Sequence, residues 1–323
     1  MYNLPYKTKQ FFFVLIKLSI VGGAFYFIYH KIASNSVLSF SDFIDFLTKK
    51  HIFSLKNVSF LVFLSIFNWF FEILKWKNLV SFVKTIRFKN ALEQSLGALT
   101  ASLFTPNRIG EYGAKAIYYT INLRKRIMLI NLLSNVLQMS VTTILGGLGF
   151  YFFILEYNPD VNYYKLARFL VILLMAFILI GFGMIKNTFS IKGFSLVKIK
   201  YFIADYPKNQ LVLGFLFSLV RYAVFSFQFY FLLHLFEVNI TYFNAMVIIA
   251  SMYLIVSVVP SVFIFDVVIK GSVAVYLFSF IQVSELTVLS IITLMWLFNF
   301  VLPSVFGSYY VLNFNFPQND DQI

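Results

Sequence analysis

Long apolar runs alternate along this chain with short polar breaks. Six runs are uniform and long enough to be helices crossing a bilayer: roughly 11–29, 58–75, 127–153, 167–185, 211–234 and 286–311. Each meets the requirement of about 18 apolar residues that a hydrocarbon core sets for a helix. The strict apolar–polar alternation of a membrane β-barrel is absent. Two further stretches, 91–119 and 242–282, are apolar but interrupted near their middles by a proline and charged residues. Segment 91–104 makes a helix of about 21 Å, short of the ~30 Å hydrocarbon core, which fits a half-span with its tip near the midplane. Segment 242–259 is nearly long enough to cross, so the second stretch is open to a re-entrant or a full crossing. The expected fold class is an all-α polytopic membrane protein. It has about six full spans and two proline-broken, re-entrant helical hairpins, in a single transmembrane domain over 1–312 with a polar tail over 313–323.

Composition supports this reading. Of the 323 residues, 60% are apolar and only 12% charged, about half the charged fraction of a soluble domain. The net charge of +13 raises the question of nucleic acid, and the loops answer it. With the N-terminus placed inside, the inner loops hold fifteen basic residues and the outer loops six. That bias satisfies the positive-inside rule and puts both termini in the cytoplasm. No nucleic-acid partner is expected. The N-terminal run is too long for a signal peptide and lacks a small-x-small cleavage site, so it reads as an uncleaved first helix. With no cysteine in the chain, disulfides, zinc thiolates and thiol catalysis are excluded.

Eight charged residues fall inside apolar segments: Lys17, Glu72, Arg108, Glu111, Lys115, Arg221, Asp266 and Lys270. A charge at the bilayer centre costs about 2.5–3.5 kcal/mol on insertion scales, so such residues pair, face a cavity or line a path. Lys17 lies near a span end, where its stem can snorkel to the headgroups. Glu72 precedes Lys75 and Trp76 near the cytoplasmic end of its span, as in a structural ion pair beside an aromatic belt. Arg221 lies about three turns into 211–234 with no acid near it in sequence, so it needs a partner on another helix or a ligand.

The other five sit in the broken stretches with matched spacing. In "SLFTPNRIGEYGAKA" Glu111 follows Pro106 by five residues and Lys115 follows Glu111 by four. In "VPSVFIFDVVIKGS" Asp266 follows Pro260 by six and Lys270 follows Asp266 by four. Acid before base at i, i+4 is the favoured order on one helix face. Two such breaks opening to opposite sides are similar to the inverted repeats of secondary transporters, whose half-helix ends meet ligands near the midplane. Pro106, Gly110, Gly113 and Pro260 are the expected break or hinge positions, with Gly110 and Gly113 allowing close backbone approach. Arg108 exceeds what neutralising the first pair requires, and a guanidinium beside a helix start suits a phosphate. The three histidines lie at membrane edges or in a loop, and no GxxxxGK[ST] occurs. No metal, cofactor, catalytic histidine or ATP hydrolysis is therefore expected.

The first motif resembles the signature of the membrane domain of lysylphosphatidylglycerol synthases and their stand-alone flippase-like relatives, which carry a T/S-P-x-R-x-G-E motif. Pro106, Arg108, Gly110, Glu111 and Lys115 carry the match; the second motif matches loosely, with Val262 to Phe265 in place of paired glycines. The resemblance spans about residues 10–312. It implies a flippase-like protein that binds a membrane phospholipid or lipid-linked phosphate and moves it between leaflets. In that reading Arg108, Lys115 and Lys270 bind phosphate with help from Arg221, while Glu111 and Asp266 hold those cations or meet a cationic headgroup part. The chain stops soon after its last predicted helix, so aminoacyl transfer is not expected and the protein reads as a transporter rather than an enzyme. Two alternatives stay open. One is a membrane-embedded transferase on a lipid or polyprenyl phosphate, with Glu111 or Asp266 as general base. The other is a non-catalytic membrane partner of a lipid-modifying enzyme.

Overall fold

The computed structural model describes residues 15–19, 22–23, 26, 48, 54–103, 105, 108–159, 190–191, 194–195, 201–258 and 266–316, without the side chains of 190–195 and 266–270. Apart from a two-residue antiparallel pairing of Ser190–Ile191 with Phe194–Ser195, the described elements are helical. Four helices are long and apolar enough to cross a membrane: α1 (Leu55–Val80), α4 (Ile121–Tyr157), α5 (Lys208–Leu235) and α8 (Glu285–Leu312). They contain four of the six expected spans. Of the span at 11–29 the described residues are helical, and 167–185 lies outside the described residues.

Each broken stretch resolves into two helices. The first gives α2 (Phe88–Ser102) and the short α3 (Gly110–Ala116). The second gives α6 (Tyr242–Val258) and α7 (Asp266–Ser279). In both cases the two halves pack against each other. Pro106 and Pro260 lie outside the described residues.

Thr105 fixes the first break. Its hydroxyl donates to the Ser102 carbonyl at 2.7 Å and accepts the Gly110 N–H at 3.0 Å, tying the end of α2 to the start of α3. The chain reverses through Arg108, which has φ = 56°, a left-handed conformation that costs a residue with a Cβ about 1 kcal/mol. Gly110 is closely packed, since a Cβ there would lie 2.9 Å from Thr105 Cγ2. Gly113 departs from expectation. It sits inside α3, and a Cβ on it would meet open space, so no close approach depends on it.

Helices α1 and α5 pack along their length, as do α4 and α6, and the C-terminal part of α8 lies against α2. Small residues make the tightest crossings, as expected where lipid removes the hydrophobic drive between helices. A Cβ on Gly307 would come within 2.2 Å of the Leu96 carbonyl oxygen, and Cβ atoms on Gly146 and Gly149 would lie 2.7 Å from Leu254 and Ala250. Lys17 donates to the Leu312 carbonyl at 2.9 Å, joining the first predicted span to the last turn of α8.

Helix α8 carries a π-helical segment over Leu297–Val301. Pro303 follows it, and a proline has no N–H to give the carbonyl four residues back. That carbonyl belongs to Asn299, and it accepts the Trp69 indole N–H from α1 at 2.9 Å instead. The neighbouring Phe298 carbonyl accepts the Ser65 hydroxyl. The proline thus turns backbone acceptors of α8 toward α1 at membrane depth.

Candidate functional site

Six helices bring polar side chains into the apolar bundle, and these gather around two carboxylates. Glu111, in the first turn of α3, receives Arg108 at 2.8 Å on one oxygen and Lys115 at 2.7 Å on the other. The i, i+4 spacing puts Glu111 and Lys115 on one side of the short helix, and Arg108 reaches the same carboxylate from the turn before it. Lys115 is 1% exposed. It also donates to Asn131 on α4 at 2.9 Å and lies 4.2 Å from the centre of the Trp76 ring, a cation–π contact between buried side chains. Trp76 in turn donates to Gln94 of α2 at 2.8 Å, and Tyr119 donates to the same oxygen. Arg108 stays a third exposed; its guanidinium lies 5.8 Å from the Phe300 ring of α8, and its Nε has no hydrogen-bond partner.

The second carboxylate is Glu72 on α1. It holds Lys75 at 2.8 Å and pairs with Arg221 of α5. Arg221 also donates to Asn68 and to Gln138 of α4, both at 3.1 Å. Asn68 donates to Asn299 at 3.1 Å, Asn299 donates to Gln228 at 2.8 Å, and Gln228 donates to the Leu61 carbonyl at 3.2 Å. The amide chain therefore continues the second triad toward the other end of α1.

Each triad holds two cations against one carboxylate. Asp266 and Lys270, one acid and one base, cancel each other and leave that surplus of two positive charges as it is. Their backbone lies in α7, which packs on α6 and α8, and their side chains are outside the described residues. Of the residues singled out in the sequence, the structure unites Arg108, Glu111 and Lys115. Arg221 instead joins Glu72 and Lys75, a pair that sequence reasoning had set aside as structural. Two surface clefts, one of about 270 Å³ between α1 and α5 beside Lys77 and one of about 200 Å³ beside Glu156, are lined by none of the triad residues. Among the described residues no group of three His, Asp or Glu is placed to hold a metal ion.

Compared with family models, curated proteins and solved structures, the chain matches none. Each triad presents one cation more than its carboxylate neutralises. Both oxygens of Glu111 are engaged by cations.

Proposed function

We propose that this protein is a flippase-like transporter that binds the phosphate of a membrane lipid and carries the headgroup between leaflets. The observation that supports it is the unbalanced charge: two buried carboxylates, each bracketed by an arginine and a lysine, with one cation over in each triad. An uncompensated cation in a bilayer is expensive, and an anionic ligand removes the cost. Arg108 is the entry point, because its guanidinium is the most exposed of the four cations and has an N–H still to give. Phosphodiester oxygens match a guanidinium fork, and the acyl tails remain in lipid.

In this reading α2–α3 and α6–α7 are the two re-entrant hairpins, and the protein lies in a bacterial inner membrane with both termini cytoplasmic. The charge bias of the loops supports that orientation, and the Lys17–Leu312 bond supports a shared side for the two ends.

The test is a leaflet-exchange assay in proteoliposomes with fluorescent phosphatidylglycerol as probe. Wild type is expected to speed exchange over empty liposomes, and Arg108→Ala and Glu111→Gln to lose most of that gain while remaining folded. Equal rates for wild type, both variants and empty liposomes across a panel of anionic phospholipids reject the proposal.

A further inference from the structure

The two triads are joined by a polar stripe that a bundle of this kind does not need for packing. On α4, Asn131, Ser134, Asn135 and Gln138 recur at i, i+3, i+4 and i+7, which is one helix face. Asn131 meets Lys115, Asn135 donates to Tyr112 of α3 at 2.9 Å, and Gln138 meets Arg221. The stripe thus starts at the first triad and ends at the second, about 10 Å further along the helix axis. Opposite it, α1 presents Asn68, Glu72, Lys75 and Trp76, again on one face.

The stripe is also incompletely bonded. Ser134 is 1% exposed and Asn131 wholly buried, yet the Ser134 hydroxyl and the Asn131 amide nitrogen have no hydrogen-bond partner. Buried polar groups are normally satisfied, and exceptions call for a reason. Here the orphans include two donors, and they lie between two cation-rich clusters. A ligand rich in acceptor oxygens satisfies both.

Building on the proposed function, we infer that Lys75 and Arg221 form a second phosphate-binding station, reached from Arg108 and Lys115 along the Asn131–Gln138 stripe. A single phosphodiester headgroup meets a surplus cation at each end of the step and a free donor between them. Past the second station the ladder turns neutral, through Asn68, Asn299 and Gln228 to the Leu61 carbonyl. Amides hold a phosphate less tightly than cations do, so the same gradient that draws the headgroup in lets it go. From Trp76 to Leu61 the route runs about 22 Å along α1, most of the ~30 Å hydrocarbon core.

The experiment separates binding from movement. Wild type, Arg108→Gln, Arg221→Gln and Arg221→Lys are compared for retention of phosphatidylglycerol by native mass spectrometry and for exchange of its fluorescent analogue in proteoliposomes. Arg221→Gln leaves Glu72 paired with Lys75, so folding is expected to survive. Its binding should fall less than that of Arg108→Gln while exchange falls about tenfold, the loss of one charge-assisted contact; Arg221→Lys should recover part of the rate. Arg108→Gln should lose binding itself. Ser134→Val, which leaves every ion pair in place, should slow exchange with binding intact and covers the case in which Arg221→Gln unfolds. Wild-type exchange in Arg221→Gln and Ser134→Val overturns the second station and leaves the transporter reading standing, as does loss of binding in Arg221→Gln equal to that in Arg108→Gln. If wild type moves no anionic lipid, the transporter reading falls first.

Discussion

Arg221 on α5 closes across the bundle on the Glu72 carboxylate of α1, which also holds Lys75 at 2.8 Å. All three side chains are largely withdrawn from solvent, so their energetics are those of a buried ion cluster. Removing the carboxylate should be far worse than removing the pair. Glu72→Gln alone strands two buried cations and is expected to cost about 3–5 kcal/mol, whereas Glu72→Gln with Arg221→Gln leaves one cation and should cost clearly less. Thermal unfolding in detergent, read as a double-mutant cycle, checks this: a cycle without coupling would show that the two side chains do not depend on each other.

Arg108 offers a separation of stability from function. Its backbone sits at φ = 56°, where glycine is at ease and arginine is not. Arg108→Gly relieves that strain and gives up an ion pair that is partly screened by water. The two effects oppose each other, and the melting point should move by the equivalent of no more than about 1 kcal/mol. Anionic-lipid exchange should nevertheless fall to the level of Arg108→Ala. A variant that keeps exchange would show that the backbone turn, not the guanidinium, is what position 108 supplies.

How much of this was legible beforehand depended on distance along the chain. The Glu111 triad spans eight residues; helical spacing puts Glu111 and Lys115 on one face, and Arg108 joins them from the adjoining turn. The Glu72–Lys75 contact follows equally from i, i+3 spacing. Arg221 is 149 positions from its carboxylate, and nothing in one sequence pairs them. The amides at 68, 94, 131, 138, 228 and 299 carry no charge and so do not stand out from the apolar runs around them. Their signal was polar residues repeating at helical spacing inside otherwise apolar spans. Pro303, inside a predicted span and four residues after Asn299, was the readable sign of the π segment.

The glycines show the same limit, and they make a paired prediction. Gly113 stood out because it lies in the charged motif, yet it has open space around it; Gly307 lies in an ordinary apolar run and seals α8 against α2. Gly113→Ala should be neutral or stabilise α3 by up to about 1 kcal/mol, the difference in helix propensity. Gly307→Ala forces backbone apart at the Leu96 carbonyl and should cost about 1–3 kcal/mol or more. Melting curves of the two purified variants decide it, and equal behaviour would mean that the α2–α8 crossing is looser than described.

Pro303→Ala tests whether the π segment serves the polar ladder. Alanine supplies the N–H that proline lacks, so the Asn299 carbonyl gains an intrahelical donor. Relief of a mid-helix proline is worth up to about 3 kcal/mol. Against that stands the bond from Trp69, worth about 1 kcal/mol net. The helix should therefore be at least as stable as in wild type, with slower amide exchange over 299–303. Regular α-helical winding would also rotate Asn299 away from Asn68 and Gln228, and lipid exchange should drop although the protein melts no earlier. A variant that melts early would assign the proline a structural role, and one that transports normally would detach Asn299 from the route.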